Sequence, residues 1–237
     1  MSAVKQPRQP GSQVVIAIDG PAGAGKSTVA RRLAEVLGYD YVDSGAMYRA
    51  AGWLVQTYAL PLESPAAIIA CLEQTPITLT CSAGKTAIWV GGQCVTAQVR
   101  GEAISRAASA VATMPGVRQA LTAQLRHMGA QTSVVMEGRD IGTVVFPDAT
   151  MKFFLDASPA QRGQRRFQEL QHTGSTATLE QVVEAIAARD RQDRSRAIAP
   201  LVPAADAQTI DTTDLTVDEV VQTMLSEIRR VLSGEGG

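Results

Sequence analysis

The sequence predicts an α/β protein built on a doubly wound parallel sheet of about five strands flanked by helices. Short apolar runs alternate along the chain with segments whose apolar residues follow helical spacing. A glycine-rich loop follows the first apolar run and opens the first of these helices. Residues 76–95 interrupt the alternation with two β-rich runs joined by turn residues, which indicates a small inserted antiparallel unit.

The first strand and helix flank the glycine-rich loop. Residues 14–18 are all apolar and mostly β-branched, which favours a buried parallel strand running into a loop at Asp19. From Ser27 onward the apolar residues share one helical face, and Gly38 is placed to end that helix. The order strand, loop, helix is therefore predicted from local pattern alone.

The other strands of the parallel sheet are short apolar or β-branched runs, predicted at residues 39–42, 133–136, 151–155 and 208–211. Their helices have recognisable starts, at Asp43 or Ser44, Pro159, Thr178 and Thr216. Thr216 and Glu219 form a capping box, and the last helix extends to Leu232.

The inserted unit is predicted to combine strands with helices. Runs at 77–80 and 86–90 are separated by Ser-Ala-Gly-Lys, as in an antiparallel meander. Helical spacing returns at 104–111 and 117–128, and Gly129 is interpreted as lying just past a helix end. One domain is thus expected over 14–232, with an insert at about 64–118 and a lid at about 157–196. Residues 1–13 and 233–237 are expected to be tails.

Composition excludes several classes of protein. Lys plus Arg number 22 and Asp plus Glu 23, so the net charge of −1 gives no indication of nucleic-acid or membrane binding. The longest apolar runs are too short to span a bilayer, and the first thirteen residues lack an apolar signal segment. Three cysteines without C-x-x-C spacing favour a reducing cytoplasm. The sequence has no asparagine, which excludes the protein-kinase catalytic loop and the guanine-reading motif of GTPases.

The loop after the first strand matches the phosphate-binding pattern G-x-x-x-x-G-K-[ST], and its residues are Gly20, Pro21, Ala22, Gly23, Ala24, Gly25, Lys26 and Ser27. Backbone N–H groups of such a loop, with the helix N-terminus, hold a polyphosphate. Lys26 can reach the β- and γ-phosphates, and the Ser27 or Thr28 hydroxyl can bind Mg²⁺. The alternative is a glycine-rich turn with a solvated lysine, but the flanking elements favour a nucleoside triphosphate site.

Charged residues elsewhere are candidates for the second half of the site. Arg189, Asp193 and Arg196 share one helical face if their helix persists that far. Such a stripe is usually a solvated surface. Arg139 and Asp140, however, directly follow a predicted strand at the edge where ligands bind in such sheets. Arginine there favours an oxyanion, although a purely structural ion pair is an alternative.

Five segments taken together resemble the bacterial cytidylate kinases. They are G-P-A-G-A-G-K-S-T at 20–28, D-S-G-A-M-Y-R at 43–49, E-G-R-D-I-G-T-V-V-F-P-D-A at 137–149, F-L-D-A-S at 154–158 and R-D-R-Q-D-R-S-R-A-I-A-P-L at 189–201. The resemblance covers about 14–232. It implies transfer of phosphate from ATP, with Mg²⁺, to CMP or dCMP, on a core with a nucleoside-monophosphate-binding insert and a mobile lid. It also implies a monomer.

The resemblance further implies a role for individual residues. Ser44 and Arg49 would line the monophosphate pocket, with Arg49 on the phosphate. Ser109 and Arg118 would face the cytosine, and Asp140 would accept a hydrogen bond from its amino group. The transferring phosphates would be surrounded by Arg139, Arg189 and Arg196, Asp193 would hold a ribose hydroxyl, and Arg165 would stack on the adenine of ATP.

The chemistry of phosphoryl transfer is compatible with this residue set. The transition state is loose and highly charged, so cations and positioning matter more than covalent chemistry. A phosphate monoester has a second pKa near about 6, so the acceptor needs no general base. His127 and His172 are accordingly predicted to be non-catalytic. Two other readings stay open: a P-loop kinase for another small acceptor, and a nucleotide-dependent regulatory or assembly protein.

Overall fold

The computed structural model describes residues 13–82, 85–172 and 174–233. The strands within this part of the chain are β1 (Val15–Asp19), β2 (Asp40–Asp43), β3 (Ile77–Ser82), β4 (Lys85–Val90), β5 (Gln93–Cys94), β6 (Val134–Glu137), β7 (Met151–Asp156) and β8 (Gln208–Asp211). The α-helices are α1 (Lys26–Leu37), α2 (Ser44–Thr57), α3 (Pro65–Gln74), α4 (Glu102–Val111), α5 (Pro115–Gln131), α6 (Pro159–His172), α7 (Leu179–Arg194) and α8 (Val217–Leu232).

Five strands form a parallel sheet in the order β2-β6-β1-β7-β8, and β3-β4-β5 form a separate antiparallel sheet. Because β1 lies in the middle, its carboxyl end opens between the ends of β6 and β7. The loops after β1, β2 and β6 therefore meet at one edge, which is where ligands bind in sheets of this type. The predicted fold class is confirmed.

Each face of the parallel sheet carries its own hydrophobic core, because alternate strand residues point in opposite directions. On one face Ala17 and Met136 pack with α2, α5 and the inserted sheet. On the other face Ile18 and Phe153 pack with α1 and α8. The β-branched and apolar strand runs are thus buried on both sides, as expected for a parallel sheet.

Helix α4, which follows the small antiparallel sheet in the chain, packs closely against helix α2. A Cβ atom added to Gly52 of α2 would lie 2.8 Å from the backbone nitrogen of Ala108 and 3.0 Å from the carbonyl oxygen of Ile104. Only glycine permits this backbone contact. The insert is therefore held against the core rather than attached by a linker alone.

Local signals set most helix boundaries. Gly38 has a left-handed backbone (φ 67°) at the end of α1, and Asp43 caps α2 by accepting from the Ala46 N–H at 3.0 Å. Thr178 and Thr216 both form capping boxes. The antiparallel meander and the strand at Gln208–Asp211 also occur where predicted.

Two expectations were wrong. Gly129 does not lie past a helix end but inside α5, where a Cβ would come within 2.5 Å of the Phe146 ring. Helix α7 ends at Arg194, so Arg196 is not on its face. The chain instead folds back, with the Leu201 N–H donating to the Asp193 carbonyl at 2.9 Å.

The bounds of the insert and the lid stay predictions. The predicted tails lie outside the described residues except for residues 13 and 233, and the turn at 83–84 also lies outside them. Among the described residues, no helix combines the length and the apolar character needed to cross a membrane.

Candidate active site

The phosphate loop joins β1 to α1 and depends on glycine. Gly20, Gly23 and Gly25 all have positive φ values, of 146°, 77° and 84°. A Cβ on Gly20 would lie 1.9 Å from the Leu155 carbonyl oxygen. Since α1 begins at Lys26, its first N–H groups face the loop, and the positive end of its dipole faces an anion held there.

Lys26 lies beneath this loop and is 6% exposed. Its ammonium group donates to the carbonyl oxygen of Pro21 at 2.6 Å. Burial, and then the positive charge of Arg139, lower the pKa of Lys26 to about 7, whereas Glu137 opposes the change. The negative charges near Lys26 do not fully stabilise its buried ammonium group. A bound polyphosphate would supply the missing negative charge.

Glu137 ends β6 in a buried position beside the phosphate loop. Its carboxylate accepts hydrogen bonds from the hydroxyl groups of Tyr41 and Ser27. Burial raises the pKa of Glu137, and the neighbouring charge of Asp43 adds to the increase. A hydroxyl and a carboxylate oxygen thus lie together next to Lys26.

This pair of oxygens fits Mg²⁺. Among the described residues, no group of three or more His, Cys, Asp or Glu side chains could hold a metal ion by itself. Mg²⁺ usually keeps several waters and takes only one or two protein oxygens in addition to substrate phosphates. Ser27, with Glu137 beside it, meets that requirement.

An arginine cluster lies on the other side of Lys26. Asp193, 1% exposed, joins Arg139 and Arg196: it accepts from the Arg139 Nε at 2.9 Å and from a terminal nitrogen of Arg196. Arg189 stays exposed at the mouth of this cluster. The protein atoms that crowd Arg189, and then the charge of Arg139, lower its pKa to about 10. Concentrated positive charge of this kind favours a phosphate ligand.

The next part of the site pairs the insert with the sheet edge. Arg118 of α5 and Asp140 form an ion pair whose side chains are 5% and 7% exposed. Arg118 also donates to the Ala112 carbonyl at 3.1 Å and lies over the ring of Tyr48, 5.5 Å from its centroid. Ser109 is half-buried on α4, but none of the hydrogen bonds among the described residues joins it to this pair.

Helix α2 contributes a third group of polar residues. Arg49 pairs with the Asp43 carboxylate at 2.7 Å, while the other oxygen of Asp43 caps the helix. Ser44 is buried, and its hydroxyl donates to the Glu137 carbonyl at 2.7 Å. These contacts fix the start of α2 beside the end of β6.

A cavity of about 460 Å³ opens on the outer side of the phosphate loop, between α6 and the segment after β8. Arg165 lines it, donating to the Thr212 hydroxyl at 3.0 Å and to the Thr212 carbonyl at 2.5 Å. Gly25 and Thr28 form the wall next to the loop. Its size and position fit the base and sugar of a nucleotide whose phosphates occupy the loop.

Sequence reasoning assigned no role to three residues of this site. Glu137 directly follows the strand predicted at residues 133–136, so its place at the ligand-binding edge of the sheet could have been predicted from the sequence. Thr212 directly follows the last strand, and its hydroxyl donates to the Ala24 carbonyl in the phosphate loop at 3.1 Å. Arg162 joins helix α6 to the same loop by donating to the Ala22 carbonyl at 3.1 Å, and it pairs with Asp190 of α7. No local pattern distinguishes Arg162 from Arg165 and Arg166 on the same helix.

Known proteins resemble the chain over nearly its whole length. The sequence profile of the cytidylate kinase family matches residues 16–230. A cytidylate kinase from Geobacter sp. (strain M21) is 43% identical over 225 residues, covering 94% of this chain and 97% of that protein. A bifunctional pantoate ligase/cytidylate kinase from Synechococcus sp. (strain JA-2-3B'a(2-13)) is 46% identical over 233 residues. The chain is 97% covered by that match but spans only 42% of the bifunctional protein.

Solved structures resemble the chain in fold. A crystal structure of an uncharacterized protein from Eubacterium ventriosum ATCC 27560 has a TM-score of 0.50 and 13% identity, over 92% of this chain and 99% of that one. At that identity the likeness concerns the fold alone. The sequence matches confirm the resemblance seen in the motifs, and the chain belongs to the cytidylate kinase family.

Proposed function

We propose that the chain transfers the γ-phosphate of ATP to CMP, and also to dCMP, to give ADP and the corresponding diphosphate. The observation that carries the proposal is the Arg139–Asp193–Arg196 network. Arg139 of this network is close enough to Lys26 of the phosphate loop for its charge to lower the pKa of Lys26. Arg139 is also followed directly in the chain by Asp140, the proposed base reader. Cations between two nucleotide sites are what a phosphoryl transfer requires.

The arginines and Lys26 would stabilise the transferring phosphoryl group. Lys26 and the loop N–H groups hold the β- and γ-phosphates of the donor, and Arg139, Arg189 and Arg196 face the oxygens on which charge is spread. Asp193 keeps two of these guanidinium groups in place by accepting from both. Positioning of this kind requires no reorganisation when the reaction occurs.

The acceptor phosphate would be held by α2. Arg49, prepared by its pair with Asp43, would donate to the CMP phosphate, and Ser44 lies one residue after that carboxylate. Since the monoester is already ionised at neutral pH, with a second pKa near about 6, no base has to remove a proton. His127 and His172 are both exposed on helices, and we assign neither a catalytic role.

Ser27 would hold Mg²⁺ together with the donor phosphates, with Glu137 beside it. When bound, Mg²⁺ would neutralise negative charge on the donor phosphates. The choice between Ser27 and Thr28 favours Ser27, because the Ser27 hydroxyl contacts the Glu137 carboxylate. Thr28 instead lines the cavity on the outer side of the loop.

Base choice would rest on Asp140 and Arg118. The Asp140 carboxylate accepts from the amino group of cytosine and repels the carbonyl oxygen that uracil has at that position. Arg118 offers N–H donors on the same side, and we propose Ser109 as a further contact. A site built on such hydrogen bonds discriminates by a factor of about 10⁴ or more, because the wrong base leaves buried groups unpaired.

The adenine of ATP would lie in the cavity beside Arg165, whose guanidinium plane is fixed by Thr212 and can stack on the ring. A lid closing over this cavity would exclude water, which otherwise competes for the γ-phosphate. A monomeric state and a cytoplasmic location stay predictions of the resemblance.

An ADP-release assay with ATP, Mg²⁺ and five acceptors, CMP, dCMP, UMP, AMP and GMP, tests the proposal. We expect rapid turnover with CMP and dCMP and much slower turnover with the others. A preference for a purine monophosphate would favour the alternative of a kinase for another acceptor. Slow ATP hydrolysis that no monophosphate accelerates would favour the regulatory protein.

A further inference from the structure

Asp19 is a buried carboxylate that the proposed mechanism does not use. It is the last residue of β1, directly before the phosphate loop, and is 4% exposed. Its two oxygens accept hydrogen bonds from two consecutive backbone N–H groups, those of Ile141 at 2.8 Å and Gly142 at 2.7 Å. Asp19 thus grips the chain immediately after Asp140.

A carboxylate in this position costs free energy, because burial disfavours its charged form. Burial raises the pKa of Asp19 to about 6, even though the hydrogen bonds from Gly142 and Ile141 lower it. The charge of Asp140 adds to the increase. A negative charge next to the phosphate loop also opposes the binding of a polyphosphate. Asp19 therefore cannot assist ATP binding by attracting the phosphates.

The geometry favours a role toward Asp140 instead. Asp140 precedes a short π-helical turn, Ile141–Val145, and its carbonyl accepts from the N–H groups of Val144 at 2.9 Å and Val145 at 3.1 Å. The first N–H groups of that turn have no partner within it and are satisfied by Asp19. Asp140 is thereby fixed on the side that follows it in the chain.

The side chain of Asp140 is also fixed, because its carboxylate is paired with Arg118. Space around the turn is small: a Cβ on Gly142 would lie 3.1 Å from Lys152 Cδ and 3.4 Å from the nearer Asp19 oxygen. The turn therefore has little freedom while Asp19 holds it. Without that grip, the backbone beneath the Asp140 carboxylate would lose two charge-assisted hydrogen bonds.

We propose that Asp19 is a positioning residue for base recognition, which sets the Asp140 carboxylate at the cytosine amino group by holding the N–H groups of Ile141 and Gly142. The inference rests on the proposed function of Asp140. It also connects the two nucleotide sites, since Asp19 directly precedes the phosphate loop in the chain and its side chain supports the base-reading turn.

The test compares Asp19→Asn with the parent enzyme. The substitution replaces one accepting oxygen by an NH₂ group that faces a backbone N–H. We expect the KM for CMP to rise and the preference for CMP over UMP to narrow, each by about tenfold, the scale of one hydrogen bond to a charged group. The KM for ATP should change much less than the KM for CMP, because the Asp19 charge repels the phosphates but also favours the charged form of Lys26, and these two effects oppose each other.

A matched control is Thr150→Val. The Thr150 hydroxyl accepts from the N–H of Val15 at 3.0 Å, at the end of β1 opposite to Asp19, so the substitution also removes one acceptor from a backbone N–H. It should leave the CMP preference unchanged. Calorimetric titration of CMP into each variant without ATP gives a reading independent of turnover. If Asp19→Asn does not fold, Gly142→Ala disturbs the same turn, because its Cβ would lie close to Lys152 and to an Asp19 oxygen, and it should narrow the CMP/UMP preference likewise.

A double variant separates this inference from the proposed function. If Asp19 acts through Asp140, adding Asp19→Asn to Asp140→Ala should narrow the CMP preference no further. An equal loss of kcat/KM for CMP and UMP in Asp19→Asn, or an ATP effect as large as the CMP effect, overturns the inference. If Asp140→Ala itself leaves the preference intact, the proposed base reader fails first.

Discussion

Arg118 and Asp140 form an ion pair in which both side chains are almost completely buried, joining helix α5 to the loop after strand β6. If the pair reads the base as proposed, a substitution at either residue should affect both specificity and stability, because it also leaves a buried charge without its partner.

Asp140→Ala is predicted to narrow the CMP/UMP preference. It removes the acceptor for the cytosine amino group together with the repulsion of the uracil carbonyl, so we expect the ratio of kcat/KM values to fall by about a hundredfold or more. Steady-state kinetics with both acceptors measures it. Equal losses for the two nucleotides would mean that Asp140 does not read the base.

The same substitution should cost about 3–5 kcal/mol in free energy of unfolding, because it leaves the Arg118 charge buried without a partner. Urea denaturation measures this loss. The matched control is the double variant Asp140→Leu with Arg118→Met, which removes both charges and should recover most of the stability. A double variant as unstable as Asp140→Ala would show that the pair, rather than the unpaired charge, supplied the stability.

Arg165→Ala is predicted to raise the KM for ATP by about three- to tenfold, since it removes a guanidinium group that can stack on adenine in the cavity. The KM for CMP should change much less. Arg230→Ala, at an exposed arginine of α8 that pairs with Glu227, serves as the control. An unchanged KM for ATP in Arg165→Ala would remove Arg165 from the adenine site.

ATP binding is predicted to take up a proton at Lys26. The pKa of this residue is lowered to about 7, so above that pH it is mostly neutral, and a bound polyphosphate restores its charge. We expect uptake of about 0.9 proton per ATP at pH 8 and about 0.1 at pH 6. Titration calorimetry in buffers of different ionisation enthalpy measures the uptake. Lys26→Met should abolish it, and persistence of the uptake in that variant would assign the proton to another group.

Gly52→Ala is predicted to destabilise the protein by about 1–3 kcal/mol, because the added methyl meets rigid backbone of α4. This outweighs the gain of about 1 kcal/mol from helix propensity. Gly116→Ala is the matched control, since its methyl would meet only the flexible tip of the Ile69 side chain. Equal midpoints of thermal unfolding for the two variants would contradict a close backbone contact between α2 and α4.

Much of the fold follows from local sequence pattern. The capping box at Thr216 and the glycine at position 38 mark helix ends because each satisfies backbone groups within a few residues of itself. The helix end predicted at Gly129 was wrong because this glycine serves a distant contact. It leaves room for the ring of Phe146, 17 positions along the chain, which no local rule reveals. The end of α7 before Arg196 likewise depends on a returning backbone bond from Leu201.

The site divides in the same way. The phosphate loop is continuous in sequence, so its residues and its glycine requirement were predictable from positions 20–28. The partners that join separate segments were not: Asp19 meets Ile141 and Arg162 meets Ala22 only after the sheet has formed. Roles assigned by resemblance, such as those of Ser109 and Arg49, stay predictions that the kinetic tests address.

The most direct test of the account follows the phosphate itself. ATP labelled in its γ-phosphate is mixed with the purified protein, Mg²⁺ and CMP, and the nucleotides are separated. The account predicts that the label moves to the β-phosphate of CDP in a one-to-one ratio with ADP. Label that stays in ATP, or that is released as inorganic phosphate while CMP is unchanged, would contradict it.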